Sequence, residues 1–258
     1  MSGEPSEYQQ TPRHDRGGMS DSSAAVPDGR FAEDCLVCGA TLEYATAPTV
    51  QACAYCGREE STLISCPGGH FVCDSCHGAS AIDLAQRVLE TSSERDPSAI
   101  LERIMALPGL PMHGPEHHAI VAGVIVAAAG NAGVALPADA VATALRRAGK
   151  VPGGWCGYYG ACGAAVGVGV AISVMTEATP LSGPQRSLAL AATSFALSRM
   201  IDDQPRCCKR ASRVAVDAAV EYLGERLGIE LSSGPATQCS VSERNKQCPG
   251  AECPFFAA

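Results

Sequence analysis

Apolar residues recur at helical spacing through the middle of the chain, from about residue 80 to residue 231. In Ala81–Thr91 the apolar positions fall on one face of a helix: Ile82, Leu84, Ala85, Val88 and Leu89. The sequence Asp96-Pro97-Ser98 predicts the start of a second helix, because Asp caps a helix and Pro is tolerated in its first turn. No strand pattern of comparable strength occurs here, so we predict an all-helical bundle.

The same spacing predicts six helices after Ser98. They are Ala99–Leu107, His117–Ala129, Ala140–Gly149, Cys162–Met175, Pro184–Met200 and Arg206–Leu227. Proline and glycine mark the loops between them, including Pro108–Pro115 and Lys150–Gly154.

The two ends of the chain differ from this middle part. Residues 1–30 have almost no large apolar side chains, which predicts a disordered tail. Residues 31–79 also have few, so a metal must supply much of their folding free energy. Residues 234–258 show little periodicity, and we expect them to pack on the helical domain, residues 80–233. The predicted fold class is mainly α, with a small zinc-ribbon or RING-like module before the bundle.

Composition narrows the functional classes. Aromatic residues make up only 5% of the 258 residues, which is typical of helices packed closely through Ala, Val, Leu and Gly. A net charge of −8 argues against nucleic acid as a partner. The chain start lacks the layout of a signal peptide, and no apolar run reaches the roughly 20 residues of a membrane helix. We therefore expect the 14 cysteines to act in a reducing cytoplasm, away from membranes.

Eight soft ligands lie between residues 35 and 76. They are Cys35, Cys38, Cys53, Cys56, Cys66, His70, Cys73 and Cys76. Zinc takes four such ligands in a tetrahedron, and each C-x2-C pair supplies two of them, so the spacing predicts two structural zinc ions.

The pairing of these ligands stays open at this point. In sequential pairing, one ion is bound by the first four ligands, which are Cys35, Cys38, Cys53 and Cys56, and the other ion by the last four. In cross-braced pairing, as in RING-type domains, alternate pairs of ligands bind the same ion. His77 could replace His70 or Cys76, and we favour His70. A RING-like ligase adaptor is a weaker hypothesis, because the downstream C-x2-C pair of that class is missing.

Cysteine and histidine also cluster in the helical part. Cys156 and Cys162 flank a glycine-rich turn, and Cys162 begins a helix, where free N–H groups favour a thiolate. Cys207 and Cys208 precede Lys209 and Arg210, whose charge would act in the same direction. Adjacent helical residues point apart, so we expect one of the two cysteines to face the site.

Four further residues, His113, Glu116, His117 and His118, could supply a base, a ligand or a carboxylate that orients a histidine. We predict Cys162, Cys208, His117 and Glu116 as catalytic residues. The predicted cofactor ligands are Cys156, Cys162, Cys207, Cys208, His113, Cys239, Cys248 and Cys253. The last three form either an iron–sulfur or zinc clip or a structural site completed by Cys207 or Cys208.

These sequences resemble a family of unknown function, DUF5714. The resemblance rests on 66–77 (CPGGHFVCDSCH), 111–118 (PMHGPEHH), 152–165 (PGGWCGYYGACGAA), 179–183 (TPLSG), 206–210 (RCCKR) and 244–248 (RNKQC). It extends over nearly everything after residue 34. Some relatives look fused to methyltransferase-like or radical S-adenosylmethionine-like domains, so the resemblance implies a partner enzyme of either kind.

The helical half is also loosely similar to the redox-active C_GCAxx_C_C family, through Gly153-Gly154, Cys162-Gly163-Ala164 and the later Cys207 or Cys208. His117-His118 stand where that family has an early cysteine, which favours a mixed His/Cys metal centre. We expect redox or sulfur-transfer chemistry on a small-molecule substrate, with an iron–sulfur cluster or reactive thiolates. The alternative is a non-catalytic, zinc-stabilised scaffold for a partner enzyme.

Overall fold

The computed structural model describes residues 35–257, apart from Leu36, Gly39, Gly78, Pro108, Ser233 and Ala236. The predicted disordered tail, residues 1–30, lies outside the described residues. The described residues belong to one compact unit.

The described part of the chain is mainly helical, as predicted. Its helices are α1 (Asp74–His77), α2 (Ala81–Thr91), α3 (Pro97–Met105), α4 (Glu116–Asn131), α5 (Ala140–Ala148), α6 (Trp155–Tyr158), α7 (Gly163–Met175), α8 (Gly183–Ser198) and α9 (Cys208–Leu227). No helix among the described residues combines the length and apolar character needed to cross a bilayer.

Helix α4 is the centre of the bundle. Every residue from His117 to Ala129 is buried, and α2, α3, α5, α7 and α9 all contact this helix. A helix that is apolar on all sides has to be surrounded by other elements. Helix α7 approaches it most closely through glycines: a Cβ on Gly167 would lie 2.7 Å from the carbonyl oxygen of His118.

The N-terminal module contains a β-hairpin that the sequence did not reveal. Strands β1 (Glu43–Ala52) and β2 (Glu59–Ser65) pair antiparallel, with an irregularity between Tyr44 and Thr49. The module packs on the bundle, since Arg103 on α3 donates to the carbonyl of Ala54 at 2.7 Å. Its buried Cys53, Cys73 and Cys76 contribute to the same apolar core as α2.

The C-terminal segment has little regular structure. It contains short 3-10 turns at Ser242–Arg244 and Gly250–Glu252, and an isolated bridge between Cys239 and Phe256. Its Glu252 accepts a hydrogen bond from Gln204, which lies in the loop before α9.

Candidate metal centres and a cysteine-lined cavity

The N-terminal ligands form two quartets, and their pairing is cross-braced. Ligand atoms within 4.8 Å of one another belong to Cys35, Cys38, Cys66 and His70 in the first quartet, and to Cys53, Cys56, Cys73 and Cys76 in the second. Each quartet therefore takes one early C-x2-C pair and one later pair, which excludes sequential pairing. The first quartet uses His70 and the second uses Cys76. The side chain of His77 lies outside the described residues.

Local turns position these ligands. The Cys66-Pro67-Gly68 turn directs the N–H of Gly68 to the Cys66 sulfur at 3.2 Å. The backbone N–H and then the side chain of His70 lower the pKa of Cys66 to about 6. Gly57 follows the second C-x2-C pair with φ +70°, a conformation that suits glycine. A sulfur that accepts N–H bonds is ready to bind a metal as the thiolate.

A separate cavity of about 320 Å³ lies in the helical part, and we call it the helical cavity. It brings together cysteines and histidines from distant chain segments: His117, His118, Cys156, Cys162, Cys207 and Cys208. The glycine-rich turn at Gly153, Gly154 and Gly157 also lines it. Residues as far apart in the sequence as Gly114 and Val214, which are 100 positions apart, therefore line one space.

Both histidines of the helical cavity have a defined tautomer. Nδ1 of His117 lies 3.3 Å from the carbonyl oxygen of Gly114, and Nδ1 of His118 lies 3.0 Å from that of Val151. A carbonyl oxygen only accepts, so Nδ1 carries the proton, and in the neutral ring Nε2 keeps its lone pair. Burial, together with the charge of Lys209, lowers the pKa of His117 to about 3. Within the part of the chain that the structure describes, its Nε2 is buried without a hydrogen-bond partner.

The thiols of the helical cavity differ from the sequence expectation. Burial raises the pKa of both thiols. The backbone amides of Ala164 and Ala165, at the start of α7, act to lower the pKa of Cys162, and the amide of Gly114 acts in the same direction on Cys208, but burial outweighs them. Without a metal, both are therefore protonated at neutral pH.

Glu116 and His113 do not line the helical cavity. Oε2 of Glu116 is buried without a partner, and the Nδ1 partners of His117 and His118 are backbone carbonyls. Among the described residues no hydrogen bond joins Glu116 to either of these imidazoles, and its role in orienting a histidine stays a prediction. Nε2 of His113 lies 3.2 Å from side-chain oxygens of Asn245 and Gln247, so this residue faces the C-terminal segment.

The two basic residues after Cys208 have separate environments. Lys209 is fully buried and donates to the carbonyl of Met105 at 3.0 Å, so it does not line the helical cavity. Arg210 lines it and pairs with Asp202 at 3.3 Å. Sequence analysis missed Asp202, and its only signal was a carboxylate in the loop just before the paired cysteines.

The remaining cysteines line a second, smaller space of about 20 Å³, which we call the C-terminal cavity. Its sulfur-bearing side chains are Cys207, Cys239, Cys248, Cys253 and Met112. Cys207 thus lines both cavities, whereas Cys208 lines only the helical cavity among those described. The structure brings the three late cysteines to Cys207, away from Cys156 and Cys162.

A comparison with known proteins identifies the family of this chain. The model of the family of unknown function DUF5714 matches residues 85–256, about two thirds of the chain. The chain belongs to the DUF5714 family. No curated protein and no solved structure matches it.

The DUF5714 match covers the residues of the two cavities and does not cover the two N-terminal quartets. All cysteines and histidines of both cavities fall inside it, and both N-terminal quartets fall outside it. The resemblance of residues 66–77 is therefore not part of the match, which corrects the expected extent. The residues named for both cavities thus lie inside the matched segment, and the cross-braced module precedes it.

Proposed function

We propose that this DUF5714 protein is a metalloprotein that carries out redox or sulfur-transfer chemistry in the helical cavity. The observation that carries the proposal is the meeting of Cys156, Cys162 and Cys208 with two imidazoles in one space of about 320 Å³. Thiolates and imidazoles with a free Nε2 are the ligands that soft metals and iron–sulfur clusters take.

The residues present fit an iron–sulfur cluster. Cysteine thiolates hold such clusters, and imidazole replaces thiolate at one iron in some of them. His117 supplies a buried Nε2 with no other partner. The cavity exceeds by far the 10–15 Å³ or so needed for one water. Bound there, a cluster would supply one-electron transfer or labile sulfur.

The protein's own groups would have distinct tasks. Cys162 and Cys208 would be ligands, since both line the cavity and nearby backbone amides favour their thiolate forms. Arg210 would balance the negative charge of the thiolates. Cys156 is the most exposed cysteine of the cavity, so it would meet a small-molecule substrate first, as ligand or as nucleophile.

For the N-terminal quartets we propose zinc. Each quartet offers four sulfur or nitrogen ligands at tetrahedral spacing, and a complete set leaves no open position for a substrate. The two ions would therefore be structural. They would hold the β-hairpin and its turns, which have few large apolar residues.

Anaerobic purification with iron, acid-labile sulfide and zinc analysis tests the proposal. We expect iron and sulfide in the native chain, and their loss in Cys162→Ala and Cys208→Ala. The matched control is Cys38→Ser, in the N-terminal quartet, which should lower zinc and leave iron unchanged.

Two other outcomes have defined meanings. A protein without iron or sulfide, whose thiol reactivity depends on Cys162 and Cys208, supports reactive thiolates in the same cavity. Absence of both iron and reactive thiols overturns the proposal. The chain would then be a non-catalytic, zinc-stabilised binding module, for which a methyltransferase-like or radical S-adenosylmethionine-like enzyme is the proposed partner.

A further inference from the structure

The C-terminal segment is ordered without an apolar core of its own. Of its described residues from Gly234 to Ala257, only Asn245 is buried. Its regular structure is limited to two short 3-10 turns and one bridge. Ordering a backbone costs about 1–2 kcal/mol per residue, so a segment of this kind needs a cross-link to stay in place.

Four cysteines occupy the point where this segment meets the bundle. Cys239, Cys248 and Cys253 come from the segment, and Cys207 stands at the start of α9. The bridge between Cys239 and Phe256, with a hydrogen bond from the Cys239 N–H to the carbonyl of Phe255 at 2.6 Å, brings Cys239 beside Cys253. The backbone itself thus gathers these cysteines.

One of the turns shares its sequence and an N–H···S contact with a turn of the N-terminal quartets. Cys248-Pro249-Gly250 has the same residues as Cys66-Pro67-Gly68. In both turns the glycine N–H points at the cysteine sulfur, at 3.5 Å for Cys248 and 3.2 Å for Cys66. The sulfur of Cys207 likewise accepts the N–H of Arg210 at 3.4 Å. Such N–H bonds stabilise the thiolate form that binds metal.

Two arginine side chains lie beside these sulfurs. Arg213, whose side chain is 4% exposed, lines the C-terminal cavity and pairs with Glu102. Arg210 lines it too, and its Nη1 is buried without a partner. A divalent ion with four thiolates carries a net charge of −2, which these two guanidinium groups, although already paired with Asp202 and Glu102, would offset in part.

We propose that Cys207, Cys239, Cys248 and Cys253 bind one zinc ion, which fixes the C-terminal segment to the start of α9. A space of about 20 Å³ admits roughly one atom, so it suits a single ion and is too small for a cluster. With zinc–sulfur bonds of about 2.3 Å, neighbouring sulfurs lie about 3.8 Å apart. Among the described residues, no three of these four sulfurs lie within 4.8 Å of one another, unlike the N-terminal quartets, so the proposed ion would have to draw them together.

Metal analysis of the full-length chain, purified without oxygen, tests this site. We expect about three zinc ions per native chain and about two in Cys239→Ser or Cys248→Ser, because a tetrahedral site seldom survives the loss of a ligand. Ser242→Ala changes another residue of the C-terminal cavity and should keep all three. Cys35→Ser should lose one zinc ion from an N-terminal quartet. The double variant Cys35→Ser/Cys248→Ser should therefore lose two zinc ions.

Cys248→His separates ligand loss from misfolding. Histidine is itself a zinc ligand, so this variant should recover the third ion that Cys248→Ser loses. Three results would each contradict the proposed zinc site. They are an unchanged zinc content in Cys248→Ser, a loss of iron and sulfide instead of zinc in that variant, and a disulfide among the four cysteines of the native chain. The result is independent of the helical cavity, which is tested by iron and by Cys162 and Cys208.

Discussion

Single glycines let the helical cavity form where α7 meets α4. A Cβ on Gly163 would lie 2.3 Å from Nδ1 of His118, the atom that donates to Val151. Because that ring is buried inside the bundle, it cannot turn away without losing this bond. The position of an imidazole thus depends on a residue that the sequence marks only as part of an Ala- and Gly-rich helix.

Gly163→Ala should lower the free energy of unfolding by about 1–3 kcal/mol, the usual cost of overpacking. Gly183→Ala is the matched control, since a Cβ there meets nothing within 4 Å. It lies at the start of α8 and should change stability by about 0.5 kcal/mol or less. Urea unfolding followed by circular dichroism measures both, and equal effects would contradict the close approach at His118.

Protonation of His117 should make the protein less stable in acid. Its pKa is about 3 in the folded chain and about 6.5 when unfolded, so the unfolded state takes up the proton first as the pH falls. The stability that neutral His117 contributes is fully present above about pH 6.5. It is lost progressively as the pH falls from about 6.5 to about 3. Between pH 7 and pH 5 the loss is about 2 kcal/mol.

His117→Asn retains a donor for Gly114 and does not titrate in this range. Between pH 7 and pH 5, the free energy of unfolding should fall in both proteins. The fall in His117→Asn should be smaller than the fall in the native chain by about 2 kcal/mol. Parallel curves for the two proteins, measured by urea unfolding at each pH, would show that His117 is charged or exposed in the native state.

Among the elements, the long helices could be predicted and the short ones could not. Ala81–Thr91 is observed with the predicted bounds, since its apolar face and its Ser80 cap are local signals. The four-residue α6 and the β-hairpin were missed. The hairpin is exposed along most of its length, so it has no alternating apolar face to reveal it. The pairing of the N-terminal ligands and the division of the late cysteines between two cavities depend on tertiary contacts. The spacing of residues along the sequence does not indicate such contacts.

Helices α3 and α9 are joined by a partly buried ion pair that no local pattern indicates. Arg213 donates to both oxygens of Glu102, at 2.7 and 2.8 Å. Glu102→Ala would leave a guanidinium that is 4% exposed without this partner, at a cost of about 3 kcal/mol. The exposed pair of Arg199 and Glu221 supplies the control: Glu221→Ala should cost less than about 1 kcal/mol. Thermal unfolding of the two variants distinguishes these costs.

At the scale of the whole molecule, the two N-terminal quartets have different relations to the bundle. Cys53, Cys73 and Cys76 of the second quartet lie in the common core with α2, and Arg87 of α2 donates to the Cys76 sulfur at 2.8 Å. In the first quartet Cys38 is exposed, and the core includes none of its four ligands. The metal of the second quartet should therefore stabilise the helices as well as the hairpin.

Cys73→Ser and Cys38→Ser each remove one ligand, and they should differ in how far the damage spreads. Loss of the second ion should increase amide hydrogen exchange in α2 as well as in the hairpin, because Cys73 is fully buried against that helix's core. Loss of the first ion should increase exchange around Cys66 and leave α2 protected. Equal protection of α2 in both variants would mean that the bundle is stable without the module. The DUF5714 match, which begins inside α2 at residue 85, would then coincide with an independent folding unit.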